Sequence, residues 1–393
     1  MTTQRLNAFG AGWDLDVSGL GEPMAGRLRT LWARAASGPE PGGEVLPYVV
    51  ARDGDDALSV AGVPHRASDD ELPYLLSRAL TMASIRRRTG QCLMLHAAGV
   101  CTPDGSTVAL VAASGTGKTT AARLLGQHLG YVSDETVAVE DDLTVRPWAK
   151  PLSVLVDPRD PFDKTESGPD ELGLARAPEH LRLGAVVLLA RDPGHGEPVL
   201  EPVPLVEALA EVVPQTSALL RLERPMESVV AALTAGGGPW RLRYSEVADC
   251  VDLVAGLAGG SGASQPAIRW TTERGGEPAL IDDDASAASA PPMTPEPPDV
   301  DLPAGALVQR TSFQHAVHAE GASFVVRGQV PAVLPDLAST VWRAASEPVS
   351  VRDLVDVAVE QHGAHPEAEQ LVTATVTALL ASGHVAPAGG RHP

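Results

Sequence analysis

Lys118 and Thr119 are the residues whose types and setting speak most directly of chemistry. They close the run Ala112-Ala-Ser-Gly-Thr-Gly-Lys-Thr119, a small residue, four others, then Gly-Lys-Thr. That is the spacing of a phosphate-binding loop, with alanine where the first glycine is usual. Gly115 and Gly117 can take φ values closed to other residues, so successive backbone N–H groups can turn inward on a phosphate chain. A helix beginning here adds the positive end of its dipole. Lys118 can reach β- and γ-phosphates, and the Thr119 hydroxyl suits Mg²⁺. The expected nucleotide-binding residues are Ala113, Ser114, Gly115, Thr116, Gly117, Lys118, Thr119 and Thr120.

Carboxylates come next. Asp134 and Glu135 end the short apolar run Gly130-Tyr-Val-Ser. In an open α/β sheet ligands gather beyond the carboxyl ends of strands, which suits this pair to Mg²⁺ or to proton transfer near a γ-phosphate. Asp192 follows the long apolar run Leu183-Gly-Ala-Val-Val-Leu-Leu-Ala and competes for the metal role; spacing does not choose between them. His96 lies in Leu93-Met-Leu-His-Ala-Ala-Gly-Val, and a lone histidine among apolar residues is by default a core residue. Arg86-Arg-Arg88 reads as a solvated helix end favoured by the dipole, with an acidic ligand as the lesser reading.

These residues need elements to hold them. Val108–Val111 reads as a buried strand feeding the loop, and Thr120–Leu129 as the helix after it. Gln91–Cys101 reads as a neighbouring strand, joined by a turn at Pro103-Asp-Gly105. Trp13–Ser18, Leu46–Arg52 and Leu58–Val63 read as strands of an N-terminal region. Met24–Ala36 and Asp70–Arg88 read as its amphipathic helices, the second capped by Ser68 or Asp69. Further helices are expected at Val206–Val213, Pro225–Thr234 and Ser245–Leu257. Residues 259–303, rich in Gly, Ala, Ser and Pro with three successive aspartates, read as a flexible acidic linker. Beyond it, Ala306–Arg310, His315–His318 and Ala322–Arg327 read as strands. Val333–Ala345, Val351–His362 (capped by Ser350) and His365–Ser382 read as helices. The fold class is an α/β P-loop core with an α+β N-terminal region, joined by the linker to a small winged-helix α+β unit. The boundaries are 1–90, 91–258, 259–303 and 304–388.

Composition narrows the function classes. The chain has 393 residues, 44% hydrophobic, and a net charge of −20. So acidic a chain is a poor partner for nucleic acid or an anionic membrane. No secretory h-region follows Met1 and no apolar run is long enough to span a bilayer, so a cytoplasmic protein is expected. Cys92, Cys101 and Cys250 lack metal-ligand spacing and read as buried small hydrophobes. Homo-oligomerisation is compatible with the sequence.

His96-Ala-Ala-Gly-Val, the loop at 112–119 and Val132-Ser-Asp134-Glu135, in that order, resemble the HPr kinase/phosphorylase-like family. Lys150-Pro-Leu-Ser and Ala185-Val-Val-Leu-Leu are similar to that family's later strands. The resemblance spans about residues 90–255. It implies ATP-dependent kinase chemistry, with Asp134 as catalytic base, His96 beside the transferring phosphate, Lys118 on the phosphates and Mg²⁺ at Thr119 with Glu135 assisting. Glu135 stands where the family has a second aspartate.

The C-terminal unit, with Leu334-Pro-Asp-Leu-Ala-Ser-Thr-Val-Trp342, Pro348-Val-Ser-Val-Arg-Asp-Leu and Gly383-His-Val, resembles PqqD-like peptide-recognition domains. That resemblance implies a precursor leader peptide as partner, added as a strand at a sheet edge and packed on the last helix. A DNA-binding winged helix would need a basic face, and this segment is acidic. The two resemblances together imply a kinase acting on a Ser or Thr hydroxyl of a ribosomally made precursor peptide. A non-catalytic nucleotide-binding peptide escort or regulator is the alternative. Residues from about 304 onward are expected to fold alone, and a cut near Ser286 to separate the two activities.

Overall fold

Alternating burial along Ala11-Gly-Trp-Asp-Leu-Asp-Val, with every second side chain buried, marks a strand with one face on a core. The same logic builds the rest of this computed structural model. It describes residues 3–36, 44–52, 57–113, 115–155, 164–260, 265–276, 303–328 and 330–388. The chain divides into two units, Met1–Val203 with Gln215–Ala267, and Pro204–Pro214 with Ile268–Pro393.

The first unit opens with strands β1 (Thr3–Ala8), β2 (Ala11–Gly19), β3 (Val45–Arg52), β4 (Ala57–Val60) and β5 (Val63–Arg66), a sheet in that order. Helices α1 (Glu22–Leu31) and α2 (Leu72–Arg88) accompany it. Ahead of α2, the Ser68 N–H donates to Glu71 Oε2 at 2.9 Å and the Glu71 N–H to Ser68 Oγ at 3.4 Å, a reciprocal capping box. The expected basic end of α2 is put to structural use. Arg87 lies 4.8 Å above the Trp13 ring, and Arg88 pairs with Glu140.

Next come β6 (Leu93–Leu95), β7 (Ala97–Cys101), β8 (Ser106–Val111), α3 (Lys118–Leu125), β9 (Gly130–Ser133), β10 (Val137–Val139), β11 (Val145–Arg146), β12 (Leu152–Leu155), β13 (Lys164–Ser167), β14 (Ala175–Arg176), β15 (Arg182–Arg191), β16 (Val199–Pro202), α4 (Leu205–Val212), β17 (Thr216–Ser217), α5 (Pro225–Thr234), β18 (Trp240–Tyr244) and α6 (Val251–Ala258). A seven-stranded sheet runs β14-β9-β7-β8-β15-β18-β16. The fully buried run Val108-Ala-Leu-Val forms its centre. Ala121, Ala122 and Leu125 of α3 share one core with Val254 and Leu257 of α6.

The stretch 91–101, expected as one strand, is two. β6 joins the sheet β11-β10-β6-β17, β7 joins the seven-stranded sheet, and His96 is the residue between them. Between Leu183 and Ala185 the β15–β8 register shifts by one residue at Gly184. Of the polar stretch Asp157–Ala177, residues 157–163 lie outside the described residues; the rest carries β13, hairpin-paired to β12, and β14, parallel to β9.

The second unit differs from the expected 304–388 module at its margins. It contains β19 (Trp270–Arg274), β20 (Leu307–Arg310), β21 (His315–Ala319), β22 (Ala322–Arg327), β23 (Val330–Leu334), α7 (Asp336–Ala344), β24 (Val349–Ser350), α8 (Val351–His362), α9 (Ala368–Ala381) and β25 (Val385–Pro387). The antiparallel sheet β19-β21-β22-β23 takes its first strand from the segment read as linker. Glu273 of β19 ion-pairs with Arg310, whose guanidinium stacks 4.9 Å from Trp342. The rest of the linker, 261–264 and 277–302, lies outside the described residues.

The helix expected at Val206–Val213 is α4, and it belongs to this second unit, against β21, β22 and β23. Its Leu205 N–H, unpaired within the helix, donates to Glu320 Oε2 at 2.9 Å. Every described side chain of β22 from Ser323 to Val326 is buried, so both sheet faces are covered. Ala316, Val325 and Leu334 share a core with α7, α8 and α9; Val317, Phe324 and Val326 are buried outside that cluster. Ser350 caps α8 as expected, accepting the Asp353 N–H at 3.1 Å. Among the described residues no helix is long and apolar enough to cross a membrane.

Candidate active site

Strand direction gathers the chemistry at one end of the seven-stranded sheet. β7 runs antiparallel to both β8 and β9. The carboxyl ends of β8 and β9 therefore lie beside the amino end of β7. The 112–119 loop leaves β8, Asp134 and Glu135 leave β9, and His96 precedes β7. Three motifs far apart in sequence become neighbours by register alone.

In the loop, Gly115 and Gly117 have φ of +79° and +99°, and a Cβ at either would meet no atom within 4 Å. Their need for glycine is thus one of backbone conformation and not of space. Gly117 precedes the first turn of α3, which begins at Lys118. Lys118 is 7% exposed, and its ammonium donates to the Ala112 and Ala113 carbonyls at 2.7 and 3.2 Å. Burial lowers its pKa, with Glu135 opposing. The Thr116 hydroxyl also donates to the Ala113 carbonyl, at 2.7 Å. Thr120 continues the first turn of α3, and Ser114 lies outside the described residues.

Asp134 is buried and fully engaged. Thr119 donates its hydroxyl to Oδ2 at 3.3 Å, Tyr131 donates to Oδ1 at 3.2 Å, and the Lys150 ammonium is 2.9 Å from Oδ1. Glu135 is more open, with Oε2 3.4 Å from both Lys150 Nζ and the Thr81 hydroxyl. The turn carrying the pair is set by Ser133, whose Oγ accepts the N–H groups of Glu135 and Thr136 at 3.2 and 3.1 Å. The Glu135 carbonyl accepts the Ala97 N–H at 3.1 Å, tying this turn to the residue after His96.

His96 is half-buried. Burial lowers its pKa first and the Lys118 charge second, against Glu135 and Asp134, which favours the neutral imidazole. Asp192 follows β15, is exposed, and accepts the Gly194 N–H at 3.0 Å as a turn cap. It also acts electrostatically on Arg243. Thr119 is thus brought to Asp134, while Asp192 serves its own loop.

Lys150, Tyr131 and Glu166 belong to this site and were not singled out from sequence. Burial works against the Lys150 charge, but the Asp134, Glu135 and Glu166 carboxylates outweigh it and keep the ammonium protonated. Glu166, held by the Ser77 hydroxyl at 3.2 Å and by Ser153, has its pKa raised by burial, with Lys150 opposing. The available signal was one lysine set in the otherwise apolar Trp148-Ala-Lys-Pro-Leu, because a lysine is almost never buried unless paired.

For a divalent cation the donors at hand are oxygens: the Thr119 hydroxyl and the carboxylates of Asp134 and Glu135. Hard oxygen donors beside the 112–119 loop suit Mg²⁺, which keeps several waters and takes one or two protein ligands.

No family model matches the chain, and no curated protein matches it. Among solved structures, the Hpr(Ser) kinase/phosphatase from Coxiella burnetii is similar at 10% identity and a TM-score of 0.25, over 43% of this chain and 95% of that one. A likeness that weak carries no conclusion about fold or activity.

Proposed function

We propose that this chain is an ATP- and Mg²⁺-dependent kinase that phosphorylates a Ser or Thr hydroxyl of a ribosomally made precursor peptide held by the second unit. The observation that carries the kinase reading is the 3.3 Å contact between Thr119 Oγ1 and Asp134 Oδ2, one residue past Lys118 at the start of α3. A metal-binding hydroxyl and a carboxylate side by side at a phosphate loop are what phosphoryl transfer needs, since its catalysis is mostly positioning and charge stabilisation. Lys118 turns from the loop carbonyls to the β- and γ-phosphates. Thr119 and Glu135 hold the cation, which when bound offsets charge on the phosphates. Asp134 accepts the proton of the attacking hydroxyl, and His96, neutral, lines the transfer path.

The peptide reading is supported by β23, an edge strand of an antiparallel sheet. Pro331 in that strand fits an edge, since proline cannot donate to a ladder. Strand addition at such an edge is an established mode of peptide capture. A nucleotide-binding escort without transfer chemistry is the second reading, favoured by the engagement of Lys118 with its own loop. Incubation of full-length protein with labelled ATP, Mg²⁺ and candidate precursor peptides separates the two. Phosphopeptide is expected, and ATP binding without it would favour the escort.

A further inference from the structure

Lys150 lies outside the loop, the acidic pair and His96, yet its ammonium bridges the two carboxylates of the pair. Its side chain is 5% exposed and its three N–H bonds have three acceptors: Asp134 Oδ1 at 2.9 Å, Glu135 Oε2 at 3.4 Å and the Pro151 carbonyl at 3.1 Å. An ammonium has three donors, so nothing is left for solvent or ligand. The backbone is tied in as well, since the Lys150 carbonyl lies 3.2 Å from the Tyr131 hydroxyl, which also contacts Asp134 Oδ1.

The choice of oxygens matters. Lys150 takes Oδ1 of Asp134 and Oε2 of Glu135. The oxygens it does not engage are Asp134 Oδ2, which faces Thr119, and Glu135 Oε1. Neighbouring carboxylates repel, and without a shared cation between them each would be free to swing apart. A carboxylate pinned at one oxygen by two donors can present only the other.

We infer that Lys150 is a positioning residue: it clamps the inner oxygens of Asp134 and Glu135 so that Asp134 Oδ2 and Glu135 Oε1 are presented toward Thr119 and a nucleotide-bound divalent cation. The inference rests on the kinase reading of this site.

The test is calorimetric titration of ATP into full-length protein, with and without Mg²⁺, which needs no peptide and no turnover. Wild type should bind ATP more tightly with Mg²⁺. Lys150→Met should bind ATP alone as wild type does but lose about tenfold of the Mg²⁺-dependent tightening, on the scale of a hydrogen bond to a charged group. Lys150→Arg, which keeps the charge, should recover part of it. Should Lys150→Met fail to fold, Tyr131→Phe removes the second donor to Oδ1 and should lose a smaller part. In turnover with peptide, the Lys150 variants should lower kcat more than they raise KM for ATP. A wild type whose ATP affinity ignores Mg²⁺ overturns the kinase reading and this inference together. A Mg²⁺-dependent wild type beside folded Lys150→Met or Tyr131→Phe with unchanged Mg²⁺ dependence overturns the role of Lys150 alone.

Discussion

The backbone N–H of His96 donates to the Gln215 carbonyl at 2.7 Å, at the single residue that separates β6 from β7. The chain changes sheets there, and the bond to Gln215, in register with the β6–β17 pairing, satisfies its donor. This fixes His96 half-buried beside Lys118, with its pKa below the ordinary 6.5. The pH dependence follows. The unfolded chain takes up a proton near 6.5 and the folded one only at lower pH, so this group contributes stability above 6.5 that is lost as pH falls through the folded value. His96→Gln should remove that part of the slope. Urea unfolding of both proteins between pH 7.5 and 5 measures it, and parallel slopes would show that His96 does not titrate as a buried group.

Lys118→Ala should abolish ATP-dependent transfer and weaken ATP binding, because the phosphates lose their point charge. Stability should change by no more than about 2 kcal/mol: the two bonds to loop carbonyls are lost, but so is the cost of burying a charge. Binding by calorimetry and a thermal melt check both. Full turnover in the variant would remove the phosphate-loop assignment.

Asp134→Asn keeps the shape of a side chain that meets Thr119, Tyr131 and Lys150. It should lower kcat by a factor on the order of 10², in line with general-base contributions, with the affinity for ATP in the absence of Mg²⁺ little changed. Asp192→Asn should leave kcat within about twofold, as expected for an exposed substitution that keeps its turn cap. Steady-state kinetics with the cognate peptide decide, and the opposite pattern would move the base to Asp192.

The strand–loop–helix order was legible because it is local: Gly-Lys-Thr after an apolar run needs only neighbours in sequence. So was the choice of Asp134 and Glu135 as candidates. The convergence of His96 with them depends on β7 running against both β8 and β9, which periodicity does not report. Lys150 was read only as part of a strand, since its partners come from a turn about fifteen residues earlier. The break at His96 was invisible because Leu93–Cys101 is apolar throughout, and an apolar run looks the same whether it serves one sheet or two. Trp270–Arg274 was hidden by its surroundings; its Glu273 pairs with Arg310, far along the chain.

The same long-range logic predicts that residues from 304 onward do not fold by themselves. A fragment of 304–393 lacks α4 and β19, which come from 204–214 and 268–276. Without α4, a sheet face holding Val317, Phe324 and Val326, each at most 4% exposed, loses its cover. Exposing three such side chains costs roughly 5–9 kcal/mol at 1.5–3 kcal/mol each, much of the 5–15 kcal/mol that holds a domain together. Loss of β19 also strips Arg310 of Glu273. The 304–393 fragment should therefore show little cooperative melting and a tendency to aggregate through the bared face. A fragment of 268–393 with residues 204–214 joined through a flexible linker should melt cooperatively. Adding a 204–214 peptide to 268–393 should raise its melting temperature in a concentration-dependent way, as any ligand of the folded state does. Circular dichroism melts of the three preparations measure this. A 304–393 fragment as stable as the fused one would show that α4 is only a passenger on the sheet and would restore the independent module.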